Sequence, residues 1–598
     1  MCGIVGRAAT HRRVDIEPDI LEVLAHRGPD SSGTAHHHTP QASWALGHTR
    51  LAIVDLSPAG HQPMTNEDGS LVMVFNGEIY NFAELRAACE AKGHRFRSNS
   101  DGEVILHLWE DAGPDSLRRL NGIFAIAIAS RVTGEVWLAT DPLGVKPVVY
   151  SPSNDGELWF ASEVETLRTM NAPVGDDDLV ALAQFLTFLW VPQPSTPFRN
   201  ARFLEPGNVL YWFAGSMTIR PYVDLVAEAI DTETMRRPTS TELGQRVRAA
   251  TRRQMVGDVP VALMASGGID SSLLWWAAGT DLDRAYTIDW SSDRSTERLA
   301  EDTHAVALLA RSYGTPVEYI DATGVETETL PPSGDLFADP AFDLTCLIAK
   351  KAAAAGHKVL LSGQGGDELF GGYRRHAACA VIEKVRLGRG GARVASALSR
   401  LPYGATSVEY MARLARACGT DDLLAAYLQL CSYSSARDRA DALGCTEAEV
   451  ADAVVWEQHR LLFDRLPPTW SLLRRARLLD LCVYLPGLNL AYADRGGMLH
   501  GVEIRVPLLD LDLVRWALRL PDHAMVDGRR TKVLARNLAA EVLPDGIAER
   551  PKRGFAVPQS SVIPGAETQG DRGFRQSAYF TRATQLLARH LERPVRVA

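Results

Sequence analysis

No apolar run in the 598-residue chain reaches about 18 residues, which excludes a hydrophobic transmembrane helix. The N-terminus lacks the basic segment and long apolar stretch of a secretory signal, so no export and no membrane partner are expected. Cysteine is sparse: eight residues, none in C-x-x-C spacing, argue against a zinc ribbon and suit reduced thiols in a cytoplasm. Basic charge is not in excess. With 63 Lys and Arg against 73 Asp and Glu the net charge is −10, which argues against a nucleic-acid-binding surface. There is no internal repeat and no Walker-type Gly-Lys-Ser/Thr sequence. His36, His37 and His38 precede Pro40 in what reads as a polar loop, where nothing fixes them as metal ligands, so they are expected to be solvated. The chain is too long for one core, and more than one domain is expected.

What is present begins at Cys2. If Met1 is removed, Cys2 carries a thiol and a free α-amine on one residue, and a nearby amine titrating close to neutrality helps generate the nucleophilic thiolate. Gly3-Ile4-Val5-Gly6 reads as a short buried strand that draws this terminus into a fold. His26-Arg27-Gly28-Pro29-Asp30 is rich in turn residues, and Gly47-His48-Thr49-Arg50-Leu51-Ala52-Ile53-Val54-Asp55 joins a basic residue to an apolar run. Asn76-Gly77-Glu78-Ile79-Tyr80-Asn81 follows a predicted strand over Leu71–Phe75, and Ser100-Asp101-Gly102-Glu103 precedes a helical stretch. Chemically these residues supply what glutamine hydrolysis needs. Arg50 can pair with an α-carboxylate and Asp101 with an α-ammonium. The Asn76 side chain and the Gly77 N–H can receive the oxyanion of a tetrahedral intermediate.

In this order the motifs resemble the class II glutamine amidotransferase domain, an α+β N-terminal-nucleophile sandwich of two antiparallel sheets flanked by helices. Leu120-Asn121-Gly122-Ile123-Phe124-Ala125, Asp141–Pro147 and Phe160-Ala161-Ser162-Glu163 extend the match over about residues 1–210. The resemblance implies Cys2, Asn76 and Gly77 in catalysis, with glutamine held by Arg50, Leu51, Ala52, Ile53, Val54, Glu78 and Asp101. Gly102 departs from the threonine usual in such domains.

A charged, Thr-rich passage within 211–240 reads as a linker, and a second unit is expected over 241–560. There a helical stretch, Glu242–Met255, leads to the apolar run Val259–Ala265 and then to Ser266-Gly267-Gly268-Ile269-Asp270-Ser271-Ser272. Glycines let backbone approach an anion closely, while hydroxyls and helix N-terminal N–H groups point at it. The sequence resembles the pyrophosphate loop of ATP pyrophosphatases. Further strands over Ala285–Trp290 and Lys358–Leu361, the latter entering Ser362-Gly363-Gln364-Gly365-Gly366-Asp367-Glu368, predict a doubly wound parallel α/β sheet with functional loops at strand C-termini. Asp270 and Asp367 are the natural Mg²⁺ ligands, since that ion takes one or two carboxylates plus phosphate oxygens. Lys532 and Lys552 can neutralise departing pyrophosphate. Residues 561–598 form a tail whose role the sequence does not reveal.

Together the halves resemble the glutamine-hydrolysing asparagine synthetase B family. That implies ammonia release at Cys2, ATP contacts at Met264, Ser266–Ser272, Ile288, Ser362 and Gly363, and amidation of an acyl-adenylate, with aspartate the leading acceptor. Relatives often dimerise, so a homodimer is one expected assembly. Gln364 departs from the resemblance, because asparagine-forming relatives usually carry glutamate there, assigned to adenylate formation and proton handling. Glutamine keeps the shape but cannot take a proton. Ala491-Tyr492-Ala493 likewise lacks a basic residue common before Asp494-Arg495. Either the acceptor is still aspartate, or it is another carboxylate of a specialised-metabolite or cell-envelope pathway. Intramolecular amide closure, as in β-lactam synthetases and lasso-peptide cyclases, is a further alternative; such enzymes often lose Cys2 or its companions, which are intact here. A binding protein without activity is a third, opposed by the intact Ser266–Ser272 loop and Asp367.

Overall fold

The computed structural model describes residues 2–290, 300–322, 331–385, 406–550 and 574–592. Twelve strands build the N-terminal half. They are β1 (Gly3–Ala9), β2 (Ser31–His38), β3 (Ser43–Arg50), β4 (Met64–Thr65), β5 (Leu71–Ile79), β6 (Gly122–Ser130), β7 (Val136–Thr140), β8 (Val149–Pro152), β9 (Leu158–Ala161), β10 (Arg202–Phe203), β11 (Asn208–Phe213) and β12 (Ser216–Pro221). One six-stranded sheet runs β10-β8-β9-β1-β3-β2 and the other β12-β11-β7-β6-β5-β4. All their pairings are antiparallel.

The sheets face each other because alternate residues are apolar. Ile4 and Ala8, Trp44 and Leu46, Val72 and Val74, and Ala125, Ala127 and Ala129 share one buried cluster between them. The opposite faces of β5 and β6 are apolar too. Their Met73, Phe75, Ile126 and Ile128 belong to a second cluster that continues without interruption into Val261, Leu360 and Ile504 of the C-terminal half. The two halves therefore share a core.

That C-terminal half is organised around five parallel strands, β13 (Val261–Met264), β14 (Arg284–Asp289), β15 (Val317–Asp321), β16 (Val359–Leu361) and β17 (Glu503–Arg505). Their order is β15-β14-β13-β16-β17, with helices such as Ile269–Ala278 and Ala341–Ala354 in the connections. The passage 211–240, expected as a linker, carries the end of β11, all of β12 and the helix Leu225–Asp231. The closing helix Phe574–Leu591 folds back, packing Ala583, Leu586 and Leu587 on Leu182, Phe185 and Leu186 of the helix Leu179–Phe188. Arg582 pairs with Asp343 at 2.6 Å.

Two local expectations change. His36–His38 end the edge strand β2 rather than lie in a loop, because that segment pairs with β3 in unbroken register through His38 and Ser43. Asn76 and Gly77 lie inside β5 rather than after it, since β5 stays paired with β6 as far as Ile79 and Gly122. No described helix is long and apolar enough to cross a membrane.

Candidate functional site

Cys2 is buried just ahead of β1, beside Asn76 of β5. The Cys2 N–H donates to Asn76 Oδ1 at 2.9 Å, while Asn76 Nδ2 is buried with no hydrogen-bond partner among the described residues. An unpaired buried donor is costly and therefore marks a place where an acceptor is to be received. Gly77 must be glycine because a Cβ would sit 2.0 Å from Ile123 O of β6. A pocket joins Cys2, Arg50, Gly77, Glu78 and Asp101, walled by Leu51, Ile53, Val54 and Phe75. Ala52 is turned to other work, its N–H donating to Asp30 Oδ2 at 2.7 Å. Arg50 is aimed by backbone carbonyls of the loop after β3, donating from Nη1 to Ser57 O at 3.0 Å and from Nη2 to Val54 O at 3.3 Å. Gly60 closes against the guanidinium, where a Cβ would lie 2.1 Å from Nη2. Gly102 has a local reason as well, since a Cβ would meet the Phe75 ring at 2.8 Å.

The electrostatics of this pocket favour a cation. Burial pushes Asp101 up to about 6, although the Ile79 N–H bound to its Oδ2 at 2.7 Å opposes the shift. Burial, then Asp101 and Glu503, drive Glu78 well above the usual range. The countercharge comes from β17: Arg505 faces Glu78 at 3.3 Å and is hydrogen-bonded to Glu503. Burial likewise raises the Cys2 thiol, against the pull of the Leu51 backbone and Arg50. A second bridge between the halves is formed by Arg27, fully buried, whose Nε donates to Cys2 O at 3.2 Å. Its Nη1 binds Glu163 at 2.9 Å and its Nη2 binds both Asp494 oxygens at 2.9 and 3.0 Å. Arg27 and Glu163 fall within the N-terminal sequence motifs and Glu503 and Arg505 outside them, and motif spacing assigns none of the four a role. Their charge in apolar surroundings was the available signal.

In the C-terminal half the predicted nucleotide residues gather at the C-terminal ends of β13, β14 and β16. Met264 ends β13, Ile288 lies near the end of β14, and Ser362 and Gly363 follow β16. Gly267 turns with φ +66°, where a Cβ would approach Asp302 O to 2.7 Å. The Ser266–Ser272 loop is braced by its own hydroxyls: Ser266 Oγ and Ser271 Oγ are 3.1 Å apart, and Ser272 Oγ donates to Gly268 O at 2.8 Å. Gly363 packs the second motif onto the first, and a Cβ there would lie 2.8 Å from Asp270 Cβ. Asp270 and Asp367 are thereby brought together. Lys532 Nζ pairs with Asp270 and lies 2.7 Å from Asp367 Oδ1, and a Cβ on Gly372 would strike both Asp367 and Lys532. Although burial opposes its charge, these two carboxylates hold the Lys532 pKa raised. A pair of carboxylates, Asp367 buried and Asp270 partly so, that already holds an ammonium, with Asp270 Oδ1 accepting no hydrogen bond from the described residues, fits a hard divalent cation. Lys552 lies outside the described residues.

Gln364 Nε2 donates to Asn489 O at 3.1 Å, and Asn489 Nδ2 donates to Glu368 Oε1 at 3.0 Å. Glu368 also accepts from Tyr373 Oη at 2.6 Å, while its Oε2 is buried with no hydrogen-bond partner among the described residues. Burial, then Asp367, pushes this carboxyl up to about 7. Its carboxyl is thus poised near neutrality and linked through Asn489 to Gln364, which cannot take a proton.

Residues 1–223 match the glutamine amidotransferase domain family, and residues 242–571 match the asparagine synthase family. Glutamine-hydrolyzing asparagine synthetase 1 of Bacillus subtilis (strain 168) is 30% identical over 601 residues, covering 93% of this chain and 87% of that protein. A putative glutamine-hydrolyzing asparagine synthetase of Mycobacterium tuberculosis (strain ATCC 25618 / H37Rv) is 31% identical over 558 residues, covering 90% and 83%. Among solved structures, a glutamine phosphoribosylpyrophosphate amidotransferase from B. subtilis superposes with a TM-score of 0.29 at 18% identity, covering 64% of this chain and 78% of that one.

Proposed function

The chain belongs to the asparagine synthase family, with a glutamine amidotransferase domain at its N-terminus, and we propose that it transfers ammonia from glutamine to an ATP-activated carboxylate, aspartate in the leading reading. The observation that carries this is the bare Asn76 Nδ2 beside Cys2, in one pocket with Arg50 and Asp101. Arg50 would hold the glutamine α-carboxylate and Asp101 its α-ammonium, which offsets the crowded charge of Glu78, Asp101 and Glu503. The Cys2 sulfur would attack the side-chain carbonyl, with the oxyanion received by Asn76 Nδ2 and the Gly77 N–H. Collapse expels ammonia and leaves a thioester, which water hydrolyses to glutamate and free thiol.

In the other half, the carboxylate oxygen of the acceptor would attack the α-phosphorus of ATP and displace pyrophosphate. The Ser266–Ser272 loop would cradle the phosphates, and Lys532, with Lys552, would neutralise the leaving group. Asp270 and Asp367 would hold Mg²⁺, which supplies further charge neutralisation when bound. Ammonia would then attack the acyl-adenylate, releasing AMP and a proton.

Gln364 favours a second reading in which the acceptor is a different carboxylic acid. Pyrophosphate release with purified protein, ATP, Mg²⁺, glutamine and aspartate, with product followed by mass, separates the two. Asparagine formation is expected. Glutamine hydrolysis without aspartate turnover would assign another acceptor, and the absence of both activities would sink the proposal.

A further inference from the structure

Far from Cys2 in function but close in sequence to Asp101, four side chains of the N-terminal half converge that the amidotransferase chemistry does not use. Glu67 lies between β4 and β5, His94 follows the helix Phe82–Ala91, and His107 and Glu110 share one face of the helix Glu103–Ala112. One ligand atom from each lies within 4.8 Å of all the others. His107 Nδ1 is 3.2 Å from Glu110 Oε2 and 3.3 Å from Glu67 Oε2. His94 Nδ1 is 3.5 Å from Glu110 Oε2 and 3.6 Å from Glu67 Oε1. An ideal tetrahedron with zinc–nitrogen and zinc–oxygen bonds near 2.0–2.1 Å has edges of about 3.3 Å. The four nitrogen–oxygen separations, 3.2–3.6 Å with Glu67 offering either oxygen, lie close to that edge.

Two further features distinguish the group from an ordinary surface ion-pair cluster. First, His94 shares its other nitrogen with a separate carboxylate, whereas His107 Nε2 has no hydrogen-bond partner among the described residues. His94 Nε2 is 3.1 Å from Asp111 Oδ1, and His107 Nε2 is 3.7 Å from Glu103 Oε1. Those carboxylates are fixed in turn. Lys92 holds Asp111 at 2.7 Å, and the Arg97 and Ser98 N–H groups hold Glu103 at 2.7 and 2.8 Å. The His94–Asp111 contact is how metal-bound histidines are oriented in protein sites. Second, His107 Nδ1 faces both Glu67 Oε2 at 3.3 Å and Glu110 Oε2 at 3.2 Å, so two carboxylates converge on one small site that a cation would neutralise. Asn66 Nδ2 anchors the remaining Glu110 oxygen at 2.8 Å.

We propose that Glu67, His94, His107 and Glu110 form a closed four-ligand site for a first-row divalent transition ion, zinc by geometry and donor set. With four protein ligands the site is structural. It ties the Glu67 loop, the residue after one helix and the helix behind Asp101 into one unit, and so fixes the segment carrying Ser100 and Asp101.

Zinc titration of chelator-treated full-length Cys2→Ser protein tests this, the substitution removing the competing thiol. One tight equivalent is expected, with tetrahedral d–d absorption when cobalt replaces zinc and a melting temperature that rises with the ion. His94→Gln and Glu110→Gln should each lose the equivalent and the cobalt signature while the chelator-treated proteins keep the wild-type far-UV spectrum. Asp111→Asn, which touches no metal, should weaken affinity by about 10- to 100-fold. No tight equivalent in the Cys2→Ser protein, or an equivalent that both variants retain, would show an ion-pair network and overturn the assignment.

Discussion

At the scale of single residues, the N-terminal pocket makes different demands of its members. Cys2→Ala should abolish glutamine-dependent synthesis yet leave synthesis from ammonium salts intact, and glutamine-dependent product from that variant would remove Cys2 as the nucleophile. Asn76→Ala removes the donor held bare beside Cys2 and should lower glutaminase kcat by about 100- to 1,000-fold. Asp101 supplies a pH signature. Its carboxyl, raised by burial to about 6, is protonated below that value and then cannot anchor an ammonium. KM for glutamine should therefore climb as pH falls through about 6, and Asp101→Asn should flatten the profile. Glu368, its carboxyl raised by burial to about 7, is the candidate proton acceptor, so synthesis measured at a fixed concentration of free ammonia should rise with pH through neutrality. A Glu368→Gln enzyme that kept that rise would exclude Glu368 as the proton acceptor. These residues also differ in how readable they are. Cys2, Arg50, Asn76 and Asp101 stand in motifs whose spacing announces them. Glu368 stands in a motif too, but its role depends on Asn489, more than a hundred positions away, and no local pattern carries that.

Among the elements, the segment Asp480–Asn489 is the least regular, a π-helix with Pro486 inside it. Such wide turns recur where a side chain must be re-aimed, and this one delivers Asn489 between Gln364 and Glu368. It is also pressed against the N-terminal half, where Gln193 Nε2 donates to Pro486 O at 3.3 Å and a Cβ on Gly487 would lie 2.1 Å from the Trp190 ring. Gly487→Ala should therefore cost about 1–3 kcal/mol through overpacking. A thermal melt would record that loss, and ammonia-dependent pyrophosphate release should fall while glutaminase is spared. The strands β13 and β16 are legible in the sequence because an apolar run, a glycine-rich loop and a helix follow one another, and β14 reads from its own strand-forming run, Ala285–Trp290. β17 is not, because Glu503 and Arg505 are charged residues in a three-residue strand fully buried beside β16. β5 reads too short for a related reason, since its register with β6 rather than its own composition carries it through Asn76 and Gly77.

For the whole molecule, the buried charges between the halves matter most. Burial should raise the carboxyl of Glu163, but His26 and Arg27 hold it down to about 2. A glutamate lowered in the fold adds stability above its ordinary value of about 4.3, and that stability is lost as pH falls from there through about 2. Melting temperature should drop steeply across that window. In Arg27→Met the drop should be shallower from a lower starting point, the lost partner leaving buried carboxylates uncompensated at a cost of about 3–5 kcal/mol. An unchanged acid profile in that variant would remove Arg27 from the account. The two-domain plan and both folds are legible from motif order, whereas the joint between them is not, since it is made of contacts between distant parts of the chain. That joint also sets a clock. Arg27 and Asp494 lie 467 positions apart, and at synthesis rates of about 5–20 residues per second the first waits roughly 20–90 s for the second to leave the ribosome. Until then the Cys2 carbonyl is held by an arginine lacking half its countercharge. A growing chain thus completes the charge balance behind Cys2 only once most of its second half has been translated.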